Sequence, residues 1–128
     1  MILEIGLRGR ATMRVTHDKT AEAWGSGDVP VFGTPSLVAL LETAAVNAVA
    51  GCLAPGETTV GTWLDVSHLA ATLVGVDASA EAELVAIEGR RLTFTVVAHD
   101  PQNKIGECRH HRMIVTRDRF LAKIQGKQ

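Results

Sequence analysis

Glu42 is the only charged residue between Asp28 and Glu57, and it stands in the most apolar helical stretch of the chain, from Pro35 to Gly51. A buried carboxylate costs several kcal/mol unless it is paired or hydrogen-bonded, so this one is expected to have a partner or a use. His68 is the candidate partner. In Val60-Gly-Thr-Trp-Leu-Asp-Val-Ser-His68, strand alternation puts Thr62, Leu64, Val66 and His68 on one face and Trp63, Asp65 and Ser67 on the other. If the first face covers the helix, a His-carboxylate pair would fix the tautomer of the ring for acid/base work. The same placement also suits a core or rim histidine with a structural hydrogen bond.

Thr34 has two compatible readings. As an N-cap it satisfies a free backbone N-H. As a hydroxyl beside a helix N-terminus it sits where backbone donors and the dipole favour a developing oxyanion. Eight helical steps separate it from Glu42, roughly 12 Å along the axis. Both can touch one imidazole only if the helix starts later or a second subunit contributes.

Cys108, His110 and Arg112 share one strand face, and Arg109, His111 and Met113 the other. The spacing of Cys108 and His110, even with His17 or His99, matches no closed zinc set, so no metal is assigned. Arg112 suits an anion, because a guanidinium holds phosphate or carboxylate bidentately. Arg90 and Arg91, after Gly89, invite the same reading. All three also fit solvated strand or hairpin arginines.

These residues need elements to hold them. Thr34 before Pro35, with Gly51 and Pro55-Gly56 as the stop, punctuates a helix of about 17 residues. Apolar almost all round, that helix is expected to be buried, and its alanine-rich second half suits close packing. Strands are expected at Ala11 to His17, Thr58 to Ala71, Val76 to Glu88, Arg91 to His99 and Ile105 to Thr116. Turns at Glu88-Gly89 and Asp100-Pro-Gln-Asn103 imply an antiparallel meander, with a short terminal helix over Asp118 to Ile124. One long helix and about five antiparallel strands make an α+β layout in which a curved sheet wraps the helix. That layout resembles the hot-dog fold. Its unpaired edge strand and spare apolar surface predict a dimer with a continuous sheet.

The chain has 128 residues, 46% hydrophobic and 21% charged, which predicts one domain spanning 1–128. A net charge of -1 gives no general attraction to nucleic acid or an anionic membrane. Glu42 would cost about 3 kcal/mol inside a bilayer, which argues against a membrane span. The amino terminus does not read as a secretory signal, so the cytoplasm is expected. Cys52 and Cys108 are accordingly read as reduced thiols.

The pieces Val31-Phe32-Gly-Thr34 with Glu42 eight residues on, Ala54-Pro-Gly-Glu57, Gly61-Thr62, His68, Ile87-Glu-Gly-Arg-Arg91, Ala98-His-Asp100, Ile105-Gly106 and His111-Arg112 recur in order. Through them the chain, from about Thr12 to Phe120, resembles the fluoroacetyl-CoA thioesterase family of hot-dog proteins. The resemblance implies hydrolysis of a small acyl-CoA at a dimer interface, without metal or organic cofactor, by Thr34, Glu42 and His68. It also implies that Gly61 and Arg112 help seat the substrate. Glu42 would either activate water or attack the carbonyl. The coenzyme A phosphates would meet Arg112 and Arg90 or Arg91. The chain departs from the family before Thr34, where Trp24-Gly-Ser-Gly-Asp-Val-Pro30 replaces an aromatic lid. There Phe32 is the aromatic expected near the pocket and the loop is read as a flexible entrance, so the acyl group stays open. A homodimer is expected, with a dimer of dimers as an extension. Rival readings are a non-catalytic acyl-CoA binding or sensing module and an enoyl-thioester hydratase. Asp65 and His68, three apart, match the latter poorly.

Overall fold

A computed structural model gives the positions of residues 1–128. Five strands, β1 (Arg8–Arg14), β2 (Glu57–His68), β3 (Asp77–Glu88), β4 (Arg91–His99) and β5 (Lys104–Thr116), form one antiparallel sheet. A short helix α1 (Ala21–Trp24) precedes the long helix α2 (Thr34–Ala48), and α3 (Arg117–Gln125) follows β5. The hairpin at Gly89-Arg90 and the Asp100–Asn103 turn fall where glycine and Asx chemistry put them, the Asp100 carboxylate accepting from the N-H groups of Gln102 and Asn103.

The strand order is β1-β3-β4-β5-β2. Only β3, β4 and β5 form the expected meander. β2 pairs with β5 alone, at the edge of the sheet, and its other edge is unpaired. This curled five-stranded sheet around one long helix is the hot-dog architecture, an α+β fold.

Alternating small and large side chains build the layer between sheet and helix. Ala78, Ala80, Ala82 and Leu84 of β3 and Leu92, Phe94, Val96 and Ala98 of β4 pack against Leu37, Leu40, Leu41, Ala44, Ala45 and Ala48 of α2. At roughly 25 cal/mol per Å² of apolar surface buried, this layer is the main stabilising element. The alanines let β1 approach closely: a Cβ on Gly9 would lie 2.2 Å from the Ala48 nitrogen.

Three expectations about α2 and β2 are corrected. First, Gly33 is the N-cap and Thr34 lies in the first turn, with Pro35 beside it, so the Thr34 hydroxyl does not cap the helix. Second, α2 is not buried all round. Ala39, Thr43, Val46 and Asn47 are exposed and Glu42 is half-buried, a stripe at helical spacing that nothing in the chain covers. Third, β2 ends at His68 and contains a bulge at Thr62, where pairing passes from Gly61↔Arg112 to Trp63↔His111. The bulge adds one residue and resets the alternation. Thus Thr59 and Gly61 face inward before it, Leu64, Val66 and His68 after it, and Thr62 leaves the face predicted for it. No helix is long and apolar enough to cross a membrane.

Candidate active site

The chemistry-bearing residues assemble into two groups at opposite ends of one helical face. At the start of α2, Thr34 Oγ1 lies 2.8 Å from His68 Nδ1. Because Gly33 already occupies the cap position, the hydroxyl is free to meet the imidazole that ends β2. Val31, Phe32, Leu69, Ala70 and Ala71 complete the walls of a cavity of about 340 Å³ here. His68 Nε2 is buried and makes no hydrogen bond. Burial holds this imidazole below its ordinary pKa, the nearby Ala70 backbone opposing that shift. A neutral ring with one nitrogen on a hydroxyl and the other unclaimed is equipped for proton transfer.

Two turns along α2, Glu42 meets different partners. Arg112 Nη1 donates to Glu42 Oε2 at 3.0 Å, and His110 Nε2 lies 3.8 Å from the same oxygen. Arg112 Nε donates to Thr59 Oγ1 at 2.9 Å and Nη2 to the Thr59 carbonyl at 3.1 Å. His110 is fully buried, with Nδ1 2.9 Å from the Trp63 carbonyl and Nε2 3.1 Å from Arg112 Nη1. Those two contacts require a neutral ring that donates from Nδ1 and accepts at Nε2. Burial is the main cause of its lowered pKa, and the Arg112 charge adds to it. The guanidinium is therefore pinned on several sides.

Gly61 closes this corner by lacking a side chain. A Cβ there would stand 2.6 Å from Glu42 Oε2 and 3.3 Å from both Arg112 Nη1 and His110 Cε1. Cys108 lies on the same sheet face, but burial, then the charges of Glu42 and Asp65, push its thiol up to about 12, so it stays protonated and is no nucleophile at neutral pH. Both cysteines are free.

The expected Glu42-His68 pair does not form within one chain. The helix begins at Thr34, so the roughly 12 Å of axial separation stands, and each residue finds another neighbour. Thr34 and His68 are brought together, as are Glu42, Gly61 and Arg112. Phe32 is a core residue whose edge lines the first cavity. Arg90 and Arg91 join neither group: Arg90 pairs with Glu57 and Arg91 with Glu88 at the β3–β4 hairpin. His110 and Thr59 are the members that sequence reasoning missed. The shared face of Cys108, His110 and Arg112 contained the signal for His110, whereas Thr59 needed the bulge to be known. Trp24 was missed too: its indole N-H donates to Ser36 Oγ at 2.8 Å, which ties the glycine-rich loop to the first turn of α2.

A curled five-stranded sheet around one long helix, with a Thr-His pair at the helix start and a carboxylate in its middle, defines a hot-dog protein. The model of the fluoroacetyl-CoA-specific thioesterase family matches residues 15–118. A fluoroacetyl-CoA thioesterase of Streptantibioticus cattleyicolor is 43% identical over 97 residues, 76% of this chain and 70% of that relative. A crystal structure of a mutant fluoroacetyl-CoA-specific thioesterase superposes with a TM-score of 0.90 at 36% identity, over 98% of both chains. Structures under that enzyme name also contain fluoroacetate with CoA, or acetyl-CoA. A hot-dog-like protein of Thermanaerovibrio acidaminovorans shares the fold at a TM-score of 0.88 and 20% identity, over 98% of this chain and 93% of that one. The chain belongs to the fluoroacetyl-CoA-specific thioesterase family. It is a thioester hydrolase.

Proposed function

We propose that the protein is a cytoplasmic homodimer, each chain a single hot-dog domain over 1–128, that hydrolyses a small acyl-CoA with Thr34, Glu42 and His68. The observation that carries this is the division of the site: His68 has an unclaimed Nε2, Glu42 makes its hydrogen bond through Oε2 alone, and the chain does not bring the two together. An antiparallel pairing of the free β2 edges would set His68 of one chain beside Gly61 and Glu42 of the other. The open stripe of α2 with exposed Val46, Leu69 and Leu73 supplies apolar surface for such a partner. A completed site would then use groups from two chains.

In this reading His68 manages the proton of water and of the leaving thiolate, and Glu42 activates the water or attacks the carbonyl. Thr34 and the first-turn N-H groups of α2 steady the oxyanion. Arg112 and Gly61 seat the acyl group, and Phe32 bounds the pocket. The acyl-CoA substrate class follows from the thioesterase relatives and the ligands in their structures.

The test is thiol release from acetyl-, fluoroacetyl-, propionyl-, butyryl-, benzoyl- and phenylacetyl-CoA by wild type, Glu42→Ala and His68→Ala. Each variant alone should be inactive. Mixing and re-forming dimers from the two should restore about a quarter of wild-type sites, because a mixed dimer has one intact pair. A mixture that stays inactive while mixed dimers form would place the whole set within one chain. Acyl-CoA bound by wild type without thiol release would instead identify a binding module.

A further inference from the structure

A guanidinium ordinarily takes a carboxylate on two parallel bonds, one to each oxygen. Arg112 touches Glu42 through Oε2 alone, at 3.0 Å, and Oε1 accepts no hydrogen bond from the chain. The other N-H groups of the fork are engaged elsewhere: Nε on Thr59 Oγ1, Nη2 on the Thr59 carbonyl, and the second proton of Nη1 on His110 Nε2 at 3.1 Å. His110 can accept that proton because its Nδ1 is committed to the Trp63 carbonyl at 2.9 Å, which leaves the lone pair on Nε2. Trp63 is the residue at which pairing resumes after the β2 bulge, so the bulge supplies the carbonyl that orients the ring. The ring is fully buried, with the Phe94 ring centroid 6.3 Å away and Gly61 so close that a Cβ there would stand 3.3 Å from Cε1. It has no room to turn aside.

Resting on the thioesterase reading, we propose that His110 is a positioning residue that keeps the Glu42-Arg112 pair on one oxygen and so reserves Glu42 Oε1 for the reaction. A carboxylate bound through both oxygens to a guanidinium is a weaker base and a weaker nucleophile, because charge-assisted bonds engage the lone pairs it would use. Held through one, it is oriented and remains reactive. Thr59 stops the fork from sliding along β2, and the Nε2 lone pair of His110 stops it from turning onto the second oxygen. The Glu42 side chain is 36% exposed and that of Arg112 8%, so the carboxylate is the member of the pair within reach of a ligand.

The experiment compares His110→Asn with His110→Gln. Asparagine places an N-H near the Nδ1 position and keeps the bond to the Trp63 carbonyl, but offers Arg112 no acceptor; glutamine is long enough to place its carbonyl oxygen near the Nε2 position and keeps that acceptor. On the best acyl-CoA of the thiol-release panel, His110→Asn should lower kcat about 10-fold, the rate equivalent of one hydrogen bond to a charged group, with KM within about twofold of wild type. His110→Gln should bring kcat back to within about threefold of wild type. Crystal structures supply a readout that needs no turnover: Arg112 should hold both oxygens of Glu42 in His110→Asn and one in His110→Gln. On wild type, 15N spectra at neutral pH should show His110 uncharged and protonated at Nδ1. An active His110→Asn beside an impaired His110→Gln would assign the histidine to the bulge alone and overturn the proposal. A one-oxygen contact retained in His110→Asn, or a wild-type ring protonated at Nε2, would overturn it as well. If wild type releases no thiol from any acyl-CoA, the thioesterase reading falls, and the spectra and variant structures decide the bracing by themselves.

Discussion

The two ends of the α2 face differ in how completely they are satisfied. Around Glu42, the Arg112 guanidinium reaches a carboxylate, a hydroxyl, a carbonyl and an imidazole, and Gly61 leaves no spare volume. Around Thr34 there is one side-chain hydrogen bond, an orphan imidazole nitrogen and an open cavity. The first is a cradle that fixes a carboxylate. The second is a Thr-His pair in which one buried ring nitrogen has no partner within the chain. Substitutions in the cradle should therefore cost stability as well as activity, and substitutions in the Thr-His pair should cost activity alone.

The largest contrast is expected from His68→Ala, which should lower kcat by ~10³, within the usual range for loss of an acid/base group, and leave the urea midpoint unchanged. A fall in that midpoint would show that the histidine supports the fold. Next, Gly61→Ala should reduce kcat/KM by about 100-fold and stability by about 2 kcal/mol, since its methyl must displace the Glu42 carboxylate or the Arg112 guanidinium; thermal melts and kinetics on one preparation measure both. Arg112→Lys should lose about 2 kcal/mol and about 10-fold in kcat/KM, because one ammonium cannot match the planar fork that serves Thr59, Glu42 and His110 together.

The smallest effect is a pH dependence. His68 and His110 both have pKa values lowered by burial, so between the ordinary and the lowered values the unfolded chain binds protons that the folded chain refuses. Stability should be full above the ordinary histidine value of about 6.5, fall as pH drops through it, and level off below the folded values. Urea midpoints from pH 8 to 5 check the sign. His110→Gln should flatten the slope, and kcat/KM should fall on the acid side of a pKa below the ordinary one.

Much of the framework was legible because hydrophobic periodicity and punctuation are local. The hairpin at Gly89 and the turn at Asp100 follow from single residues, whereas the helix stop expected at Gly51 comes three residues earlier, α2 ending at Ala48 with Val49 as its C-cap. Arg112 and His110 fell on the predicted face of β5 because its alternation runs unbroken from Gly106 to Met113. The bulge at Thr62 was not legible, since an extra residue in one strand shows only against its partner. The capping of α2 misled because Thr34 and Gly33 both suit the position, and only the folded backbone shows that Gly33 takes it.

The sequence by itself determined that one carboxylate would sit within an apolar helix, that a threonine would open that helix and a histidine would close a strand. Those features depend on residue type and on neighbours a few positions away. Which of them meet was decided by the tertiary structure. The packing of α2 on β5 gives Glu42 the buried arginine, and the end of β2 beside the start of α2 gives His68 the threonine, because pairing energies depend on distances of a few ångströms that spacing along the chain does not encode.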